Sequence, residues 1–530
     1  LCAQPKDDLP WSFQAPRRPP VPAAEQLKHG ATSYRNAIDG FILATLQKQD
    51  LDPAPAADRH TLVRRAYFDL LGLPPTPEQA RAFVESEDPD AWAKLVDHLL
   101  ESKHYGERWG RHWLDVARYA DSGGYETDIY YRFAWRYRDY VVKSFNDDKP
   151  YNIFIQEQVA GDEIWPDNLD LDPKRVYQLS DEKRRHLEAR VATGFYTLGP
   201  LVHESGLDAR RLRHETLTDW IDTTGAAFLG LTVGCARCHD HKFDPLSQQD
   251  YYDLQAIFSS STQVEVPLLT AMEVNDWRQH YPRIIAVSEA RTSYKLFHAR
   301  TGGRALTPEE KSEKQRLLVA IAEAVLQLPE KAGSVPHSPF DSLMGIPAAR
   351  VLGHERKELL PTVFMLERGE LSSPTARATP ALPATLATAT GIPREVTTPY
   401  GSRKDLALWL TRPDHPLTAR VMVNRLWQWH FGRGIVATPN DFGAMGSRPT
   451  HPELLDWLAT EFVQRDWSIK QMHRLIMNSS TYRMASNFAT STHLDKDPTN
   501  RFLWRMNRRR LEAEAIWDAF HFTAGTLNLK

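Results

Sequence analysis

Start signals for α-helices recur along the sequence and constrain the fold more than any other feature. In GLPPTPEQA, Thr76 is followed three residues later by Gln79, which is the pattern of a capping box. Thr307 and Glu310 repeat that pattern at the start of TPEEKSEKQRLLVAIAEAVLQL. Few segments alternate apolar and polar residues with a period of two, which argues against an all-β fold. We therefore predict a mainly α, multi-domain protein.

Changes in composition divide the 530 residues into segments. A length of this order allows roughly two to four domains. The start is rich in proline, whereas LSSPTARATPALPATLATATGIPREVTTPY has no period and is rich in Pro, Ala and Thr. The last predicted helix starts near Arg510, and we expect the C-terminal domain to be incomplete. The predicted segments are an extended arm (1–33), a helical N-terminal domain (34–261), a helical middle segment (262–370), a linker (371–400) and a helical C-terminal domain (401–530).

Two of the three cysteines lie in GLTVGCARCHDHKFDP, where Cys235, Cys238 and His239 form the pattern Cys-x-x-Cys-His. The pattern is typical of covalent haem attachment, in which two thiols bind the porphyrin edge and the imidazole binds the iron. Predicted helices flank the motif on both sides, with Ser247 as the N-cap of the second one. We therefore predict haem c bound through Cys235 and Cys238, with His239 as an iron ligand.

Three other interpretations of the motif remain open. A redox dithiol is usually found in a βαβ unit, and the flanks here are helical. A non-haem metal site, with zinc or iron, would draw its ligands from Cys235, Cys238, His239 and His241, but adjacent ligands would strain a tetrahedron. The third interpretation is a coincidence of spacing.

Composition and the N-terminal residues bear on partners and localisation. The net charge of −3 gives no electrostatic reason to expect a nucleic acid partner. No apolar run reaches the roughly 18 residues needed for a transmembrane segment. The start, LCAQPKDD, is similar to the end of a removed export signal, with Cys2 as a lipidation site or the arbitrary start of a sequence as the alternatives. We predict a periplasmic or secreted protein.

Long stretches of the sequence resemble two known families. RRAYFDLLGLPPTPEQ, YGERWGRHWLDVARYADSGGYE and TTGAAFLGLTVGCARCHDHKFDPLSQQDYY resemble the planctomycete-type cytochrome c-like domain family, over about residues 35–260. ARVMVNRLWQWHFGRGIVATPNDFGAMGSRPTHPELLDWLA and RLIMNSSTYR resemble its usual partner domain of unknown function, over about residues 398–530. The resemblance implies an exported protein with a haem-bearing helical N-terminal domain and a helical C-terminal domain. It names no reaction.

A haem iron held by His239 has a position for a second axial ligand, and the sequence offers several candidates. His112 lies with Trp109, Trp113 and Val116 on one face of a predicted helix. A histidine on an apolar face is more often a core residue than a ligand, but the predicted haem favours ligation. We predict His112 as the sixth ligand, and the other candidates are His203, His214, His241, Met272 and His430.

Two further groups of polar residues are candidates for binding sites. Asp121, Glu126 and Asp128, together with Asp162 and Glu163, are hard oxygen donors for calcium, although a solvated acidic loop is the more common arrangement. The stretch NRLWQWHFGRG places four polar residues near one helix end. They are candidates for contacting an anionic or sugar-like substrate, against a purely structural helix terminus: Asn424, Arg425, His430 and Arg433.

Taken together, these patterns predict an exported c-type haem protein that acts as an oxidoreductase or as an electron-transfer component. Cofactors supply redox chemistry, while the protein supplies binding and orientation. The several hundred residues beyond a minimal haem domain favour recognition of a substrate or a redox partner. The alternative is a non-catalytic electron-transfer or scaffold protein. If the protein is an enzyme, we expect a pocket between the two domains, lined by residues of NRLWQWHFGRG.

Overall fold

A computed structural model describes residues 9–124, 128–131, 133–166, 181–200, 209–267, 306–327, 348–354, 362–396 and 402–528, with parts of 283–301. The protein is mainly helical, as predicted. The helices of its first third are α1 (Gly30–Ser33), α2 (Ala37–Lys48), α3 (Arg59–Leu71), α4 (Pro77–Val84), α5 (Ala91–Glu101), α6 (Lys103–Val116), α7 (Ala134–Asn146) and α8 (Tyr151–Ile164).

The middle of the chain combines helices with two short antiparallel sheets. Its described helices are α9 (Asp181–Ala192), α10 (Ala209–Thr224), α11 (Gln248–Ile257), α12 (Pro308–Leu326) and α13 (Ala384–Thr390). Strand β1 (Ser261–Pro267) pairs with β2 (Ala348–His354), and Val264 lies opposite Val351. Strand β3 (Phe364–Leu366) pairs with β4 (Pro374–Arg377).

The C-terminal part is again helical. It consists of α14 (Arg403–Leu410), α15 (Thr418–Phe431), α16 (Pro452–Gln464), α17 (Ile469–Met477), α18 (Ser480–Arg483), α19 (Ser491–Lys496) and α20 (Ala513–Thr523). None of the described helices has both the length and the apolar character that a membrane crossing requires.

Capping interactions explain where several helices begin. The side chain of Thr76 accepts a hydrogen bond from the Gln79 amide, and the Gln79 side chain accepts one from the Thr76 amide. The same reciprocal box is formed by Thr307 with Glu310 and by Ser247 with Asp250. Because each box satisfies amides that the first helical turn leaves unpaired, these start sites are defined locally. The predictions of these starts are confirmed.

The N-terminal and C-terminal parts share one hydrophobic core. Helix α2 packs against α16 and α18, and α5 packs against α17. Asp39 of α2 accepts hydrogen bonds from the amide and hydroxyl of Thr481, at 2.9 and 2.8 Å. Arg403 of α14 is fully buried and donates to both carboxylate oxygens of Asp162 in α8. Buried polar contacts of this kind fix the two parts in one arrangement.

The N-terminal arm is mostly extended over residues 14–23, and it lies against the C-terminal part. Phe13, in a short 3₁₀ turn (Trp11–Phe13), is fully buried. Arg18 pairs with Glu461 of α16 at 2.6 Å, and Arg420 donates to the carbonyl of Gln14 at 2.6 Å. The arm therefore covers α15 and α16.

The stretch predicted as a linker, 371–400, differs from that prediction over its described residues. It contains β4 and α13, and Leu386 of α13 is fully buried. The Ala384 amide donates to Asp250, and Arg394 pairs with Asp250 and Asp253 of α11. The predicted helical middle segment likewise contains β1, β2 and β3 beside its helices. We predicted a linker because the stretch has no clear helical or strand period. Short elements that are held by contacts with α11 do not need an amphipathic pattern of their own.

Candidate functional site

The cysteine motif follows a helix that changes its winding before it ends. Helix α10 continues into a π-helical turn (Gly225–Leu229), and Gly230 ends it with a left-handed conformation, φ +58°. A 3₁₀ turn (Val233–Arg237) then carries Cys235, and this turn packs against α10 and α11. π-helical turns are frequent at functional sites. The motif is thus a short connection between two helices, as predicted.

Residues of the C-terminal part hold the backbone in front of the motif. Arg425 of α15 is buried and donates to the carbonyls of Ala226 and Ala227 in the π-helical turn. The amide of Phe442 donates to the carbonyl of Gly230 at 2.7 Å. A Cβ on Gly230 would lie 3.0 Å from the Phe442 ring, so the close approach requires glycine. Burial lowers the pKa of Arg425 to about 10, which leaves it charged at neutral pH.

Both motif cysteines are free thiols. The side chain of Cys235 is exposed, whereas Cys238 is half-buried. The half-buried sulfur faces Gly369, where a Cβ would lie 3.0 Å from Cys238 Sγ. Gly369 has φ +76°, so both its backbone conformation and its neighbour favour glycine.

The hydrogen bonds of His239 determine which ring nitrogen is available. His239 Nδ1 lies 2.6 Å from the backbone carbonyl of Asp240. A carbonyl oxygen only accepts, so Nδ1 carries the proton and donates it. In the neutral ring, Nε2 therefore has a bare lone pair, and the residue is exposed. Metal-bound histidines typically donate their other ring N–H to a carbonyl or carboxylate in this way.

His241, two residues later, has the opposite hydrogen-bonding pattern. Its Nδ1 accepts from the backbone amides of Asp244, at 2.8 Å, and Phe243, at 3.4 Å. Nδ1 is therefore unprotonated, and the neutral ring carries its proton on Nε2. For His241 to bind a metal through Nε2, these loop hydrogen bonds would have to break. This geometry counts against a four-ligand site that uses both histidines.

A half-buried carboxyl group lies behind the 3₁₀ turn that carries Cys235, and no pattern in the sequence indicated it. The oxygens of Asp222, in α10, lie 3.2 Å from where a Cβ on Gly234 would be. Burial raises the pKa of Asp222 to about 6, although the nearby Arg237 guanidinium opposes the shift. The Tyr251 hydroxyl lies 3.5 Å from Asp222 Oδ1. Only the meeting of α10 with the motif turn reveals this group.

A cleft of about 720 Å³ opens beside the loop that follows His239, and its described lining includes Asp240 and His241 but not His239 or the two cysteines. This volume falls within the range of cofactor and ligand sites, roughly 300–1,000 Å³. One wall is the loop from Asp240 to Gln249, and the other contains Met365 of β3 and Thr385 of α13. Gln248 fixes the two walls to each other, because its Nε2 donates to the Arg237 carbonyl at 3.0 Å and to the Leu366 carbonyl at 2.8 Å.

The residues of the motif fit a c-type haem by the chemistry of their donors. Two free thiols three positions apart can form the thioether bonds, and the bare Nε2 of His239 can bind the iron. Among the described residues, no group of three or more His, Cys, Asp or Glu side chains is arranged to hold a bare metal ion.

His112 lies in a different cluster, which we call the buried histidine cluster: His112, His430 and His473, around Trp109. The His112 ring stacks on Trp429 with centroids 4.7 Å apart, and it contacts Trp109 edge-on. Helix α6, which carries it, packs against α3, α5 and α7 rather than against the motif turn. No hydrogen bond or ring contact joins His112 to Cys235, Cys238 or His239 in the described structure.

The buried histidine cluster joins the N-terminal and C-terminal parts. His430 Nε2 lies 2.9 Å from His473 Nδ1, and His430 Nδ1 lies 3.7 Å from Asp69 Oδ2. Asp69 also accepts from the Tyr482 hydroxyl at 2.6 Å. Burial lowers the pKa of His112 and of His430 to about 3, and it lowers that of His473 as well. All three rings are therefore neutral at physiological pH.

The four substrate candidates are not brought together in one pocket. The side chain of Asn424 donates a hydrogen bond to the Val436 carbonyl and accepts one from the Val436 amide. Arg425 donates to a carbonyl of the π-helical turn. His430 belongs to the buried histidine cluster, and Arg433 is exposed. Three of the four thus have interior structural contacts.

The acidic candidates for calcium are also dispersed. Asp162 and Glu163 pair with Arg403, at 2.7 and 3.1 Å. Asp121 accepts from the Tyr119 hydroxyl, and Asp128 accepts from the Gly124 amide. Because the guanidinium of Arg403 already pairs with both buried carboxylates, their oxygens are less available to a cation.

The remaining candidates are a half-buried histidine and four residues outside the described structure. Burial lowers the pKa of His214, which lies in α10. Cys2, Glu126, His203 and Met272 lie outside the described residues.

Comparisons with known families agree with the order of the two resemblances. Residues 37–263 match the family PSCyt2, described as a protein of unknown function (DUF1549). Residues 402–530 match the family PSD1, also described as a protein of unknown function (DUF1553). No curated protein and no solved structure matches the chain. The two matches occur in that order along the chain, and neither family description assigns a function.

Proposed function

We propose that this protein is an exported electron-transfer component that binds haem c covalently through Cys235 and Cys238, with His239 as an axial ligand. The observation that carries the proposal is the tautomer of His239. Its Nδ1–H donates to the Asp240 carbonyl, so the exposed Nε2 is ready to bind a metal. A haem held there would supply one-electron redox chemistry.

The residues around the motif suit a cofactor held at the surface. Gln248 and Tyr252 both donate to the Arg237 carbonyl, at 3.0 and 2.9 Å, which anchors the turn between the two cysteines. Cys235 and His239 remain exposed on that anchored turn. An anchored turn with exposed donors fixes the spacing of the attachment points before anything binds to them.

Electron transfer is favoured over catalysis on a substrate of its own. For an enzyme, we expect a pocket between the domains that is lined by some of four residues: Asn424, Arg425, His430 and Arg433. Three of these side chains contact other residues of the protein instead. The cleft beside the motif has polar groups that are largely engaged within the protein, such as Arg394 with Asp253. Recognition of a redox partner then becomes the task of the surface around the motif.

A non-haem metal site is the second candidate function. Two thiolates and the Nε2 of His239 are suitable ligands for zinc or iron. His241 would be the nearest fourth ligand, but its Nδ1 accepts two backbone hydrogen bonds, which places its proton on Nε2. This candidate therefore requires a rearranged loop or an external fourth ligand.

Intact-mass analysis of protein matured in an oxidising compartment with haem-ligation machinery tests the proposal. Thioether formation adds each S–H across one vinyl group, so the chain should gain the full mass of one haem and keep it on denaturation. The double variant Cys235→Ser, Cys238→Ser should lose the adduct. His241→Asn, in the same loop, should keep it. An adduct-free wild-type protein containing zinc by elemental analysis would favour the second candidate.

Export is tested separately, by fractionation of the native organism. Thioether attachment generally takes place outside the cytoplasm, and LCAQ is similar to the end of an export signal. We expect the mature protein in the periplasmic or secreted fraction. A cytoplasmic pool with covalent haem would contradict the localisation and leave the cofactor assignment intact.

A further inference from the structure

We propose that Met365 is the second axial ligand of the haem, an inference that rests on the function proposed above. Met365 belongs to β3, in the middle segment between the two family matches. It is half-buried and lines the cleft beside the loop that follows His239. The proposal replaces His112, whose ring lies in the buried histidine cluster.

The segment that carries Met365 lies against the motif. Gln248 Nε2 bridges the carbonyls of Arg237 and Leu366, which are the neighbours of Cys238 and Met365 in the chain. At the other end of the segment, Gly369 faces Cys238 Sγ. Two independent contacts therefore hold residues 365–369 beside the attachment points.

The side chains along the cleft differ in whether they can bind haem iron. Histidine, methionine, cysteine and tyrosine are the usual protein ligands of haem iron. Among the described residues that line the cleft, only His241 and Met365 are of these types. His241 Nδ1 is engaged by two backbone amides, whereas the thioether of Met365 is by its chemistry only a weak hydrogen-bond acceptor. Met365 is therefore the ligand that the described cleft offers.

The backbone at Met365 is held in place by contacts of the neighbouring residues. Its carbonyl accepts from the Thr375 hydroxyl at 3.0 Å, across the β3–β4 pair. Its neighbour Leu366 is buried in the shared core. The backbone is thus fixed, while the unbranched side chain retains the flexibility to reach an iron.

The test uses the haem-loaded full chain and three methionine variants. Ferric wild-type protein should be low-spin. Met365→Leu should become high-spin and should have a lower midpoint potential, since a Met/His pair raises the potential of haem iron. Met365→His should restore the low-spin state. Met445→Leu is the matched control, because Met445 is exposed and does not line the cleft, and its spectrum should not change.

The outcomes separate this inference from the proposed function. If Met365→Leu keeps the covalent adduct and an unchanged low-spin spectrum and potential, Met365 is not the ligand, and the haem assignment stands. A low-spin wild type that becomes high-spin in His112→Gln but not in Met365→Leu would return the assignment to His112. If the wild type has no covalent adduct by mass, the proposed function fails, and this inference fails with it.

Discussion

The motif turn and the buried histidine cluster contain similar residues in opposite environments. His239 is exposed, with Nδ1 donating to a carbonyl and Nε2 available. In the cluster, His430 Nδ1 and His473 Nε2 are buried and have no hydrogen-bond partner among the described residues. A histidine whose ring is enclosed by tryptophans contributes to packing. A histidine whose ring is fixed by one hydrogen bond at the surface is prepared to bind.

The largest expected difference between the two regions is their response to acid. Burial holds the pKa of His112 and His430 at about 3 in the folded protein, against about 6.5 in an unfolded chain. The unfolded state therefore binds more protons below pH 6.5. Stability is fully present above that pH and should fall as the pH drops toward 3, by about 1.4 kcal/mol per histidine per pH unit. Urea unfolding at several pH values measures this slope.

His112→Phe tests which histidines cause the acid sensitivity. The groups that face His112 are Arg108, Arg111, Glu512 and His430. Phe keeps the stack on Trp429 and removes one titrating ring, so the pH slope should decrease by about one proton. Equal slopes in wild type and His112→Phe would contradict the assignment.

Removal of the tryptophan at the centre of the cluster should have the next largest effect. Trp109 is 1% exposed, contacts all three histidines, and donates from Nε1 to the Asp69 carbonyl at 3.0 Å. Trp109→Ala should cost about 3–5 kcal/mol in free energy of unfolding. Haem attachment in the protein that remains folded should persist. Loss of attachment at full stability would show that the two regions are coupled more directly than their contacts indicate.

Arg425 connects the C-terminal part to the motif, and its removal should have an intermediate effect. Arg425→Met leaves the carbonyls of Ala226 and Ala227 without their donor, at a cost of about 1–3 kcal/mol. Because the π-helical turn leads to Cys235, we also expect a reduced yield of covalent haem at equal protein level. Arg433→Met, at an exposed position of the same stretch, should change stability by less than about 0.5 kcal/mol. Identical yields in both variants would argue against this anchoring role.

His239→Ala should have the smallest effect on the stability of haem-free protein. The ring is exposed and makes one local hydrogen bond, so we expect a change within about 0.5 kcal/mol. In haem-loaded protein the same variant should lose the low-spin spectrum while it keeps the thioether adduct. A large destabilisation without haem would make His239 a structural residue, like those of the cluster.

The sequence predicted where helices begin better than it predicted which residues contact each other in the fold. Capping boxes such as Thr76 with Gln79 involve residues within one turn, so local reading located these helix starts. The Trp109–His112 face was correctly expected to lie on one helix, but its partners, Trp429 and His473, come from distant helices. Tertiary burial is the main cause of the raised pKa of Asp222, and the charge of Asp219 adds to it. Likewise, Gly369 and the neighbour of Met365 contact the motif region through long-range packing, which residue spacing in the sequence does not predict.

The hold of Arg425 on the π-helical turn bears on the order of events during biogenesis. During synthesis of the chain, Cys235 and Cys238 emerge long before Arg425. Until Arg425 is in place, the carbonyls of Ala226 and Ala227 lack their donor. Arrival of α15 then supplies the guanidinium of Arg425 to these two carbonyls. Under the proposed function, both thiols are therefore accessible for haem attachment before the C-terminal part packs against the π-helical turn.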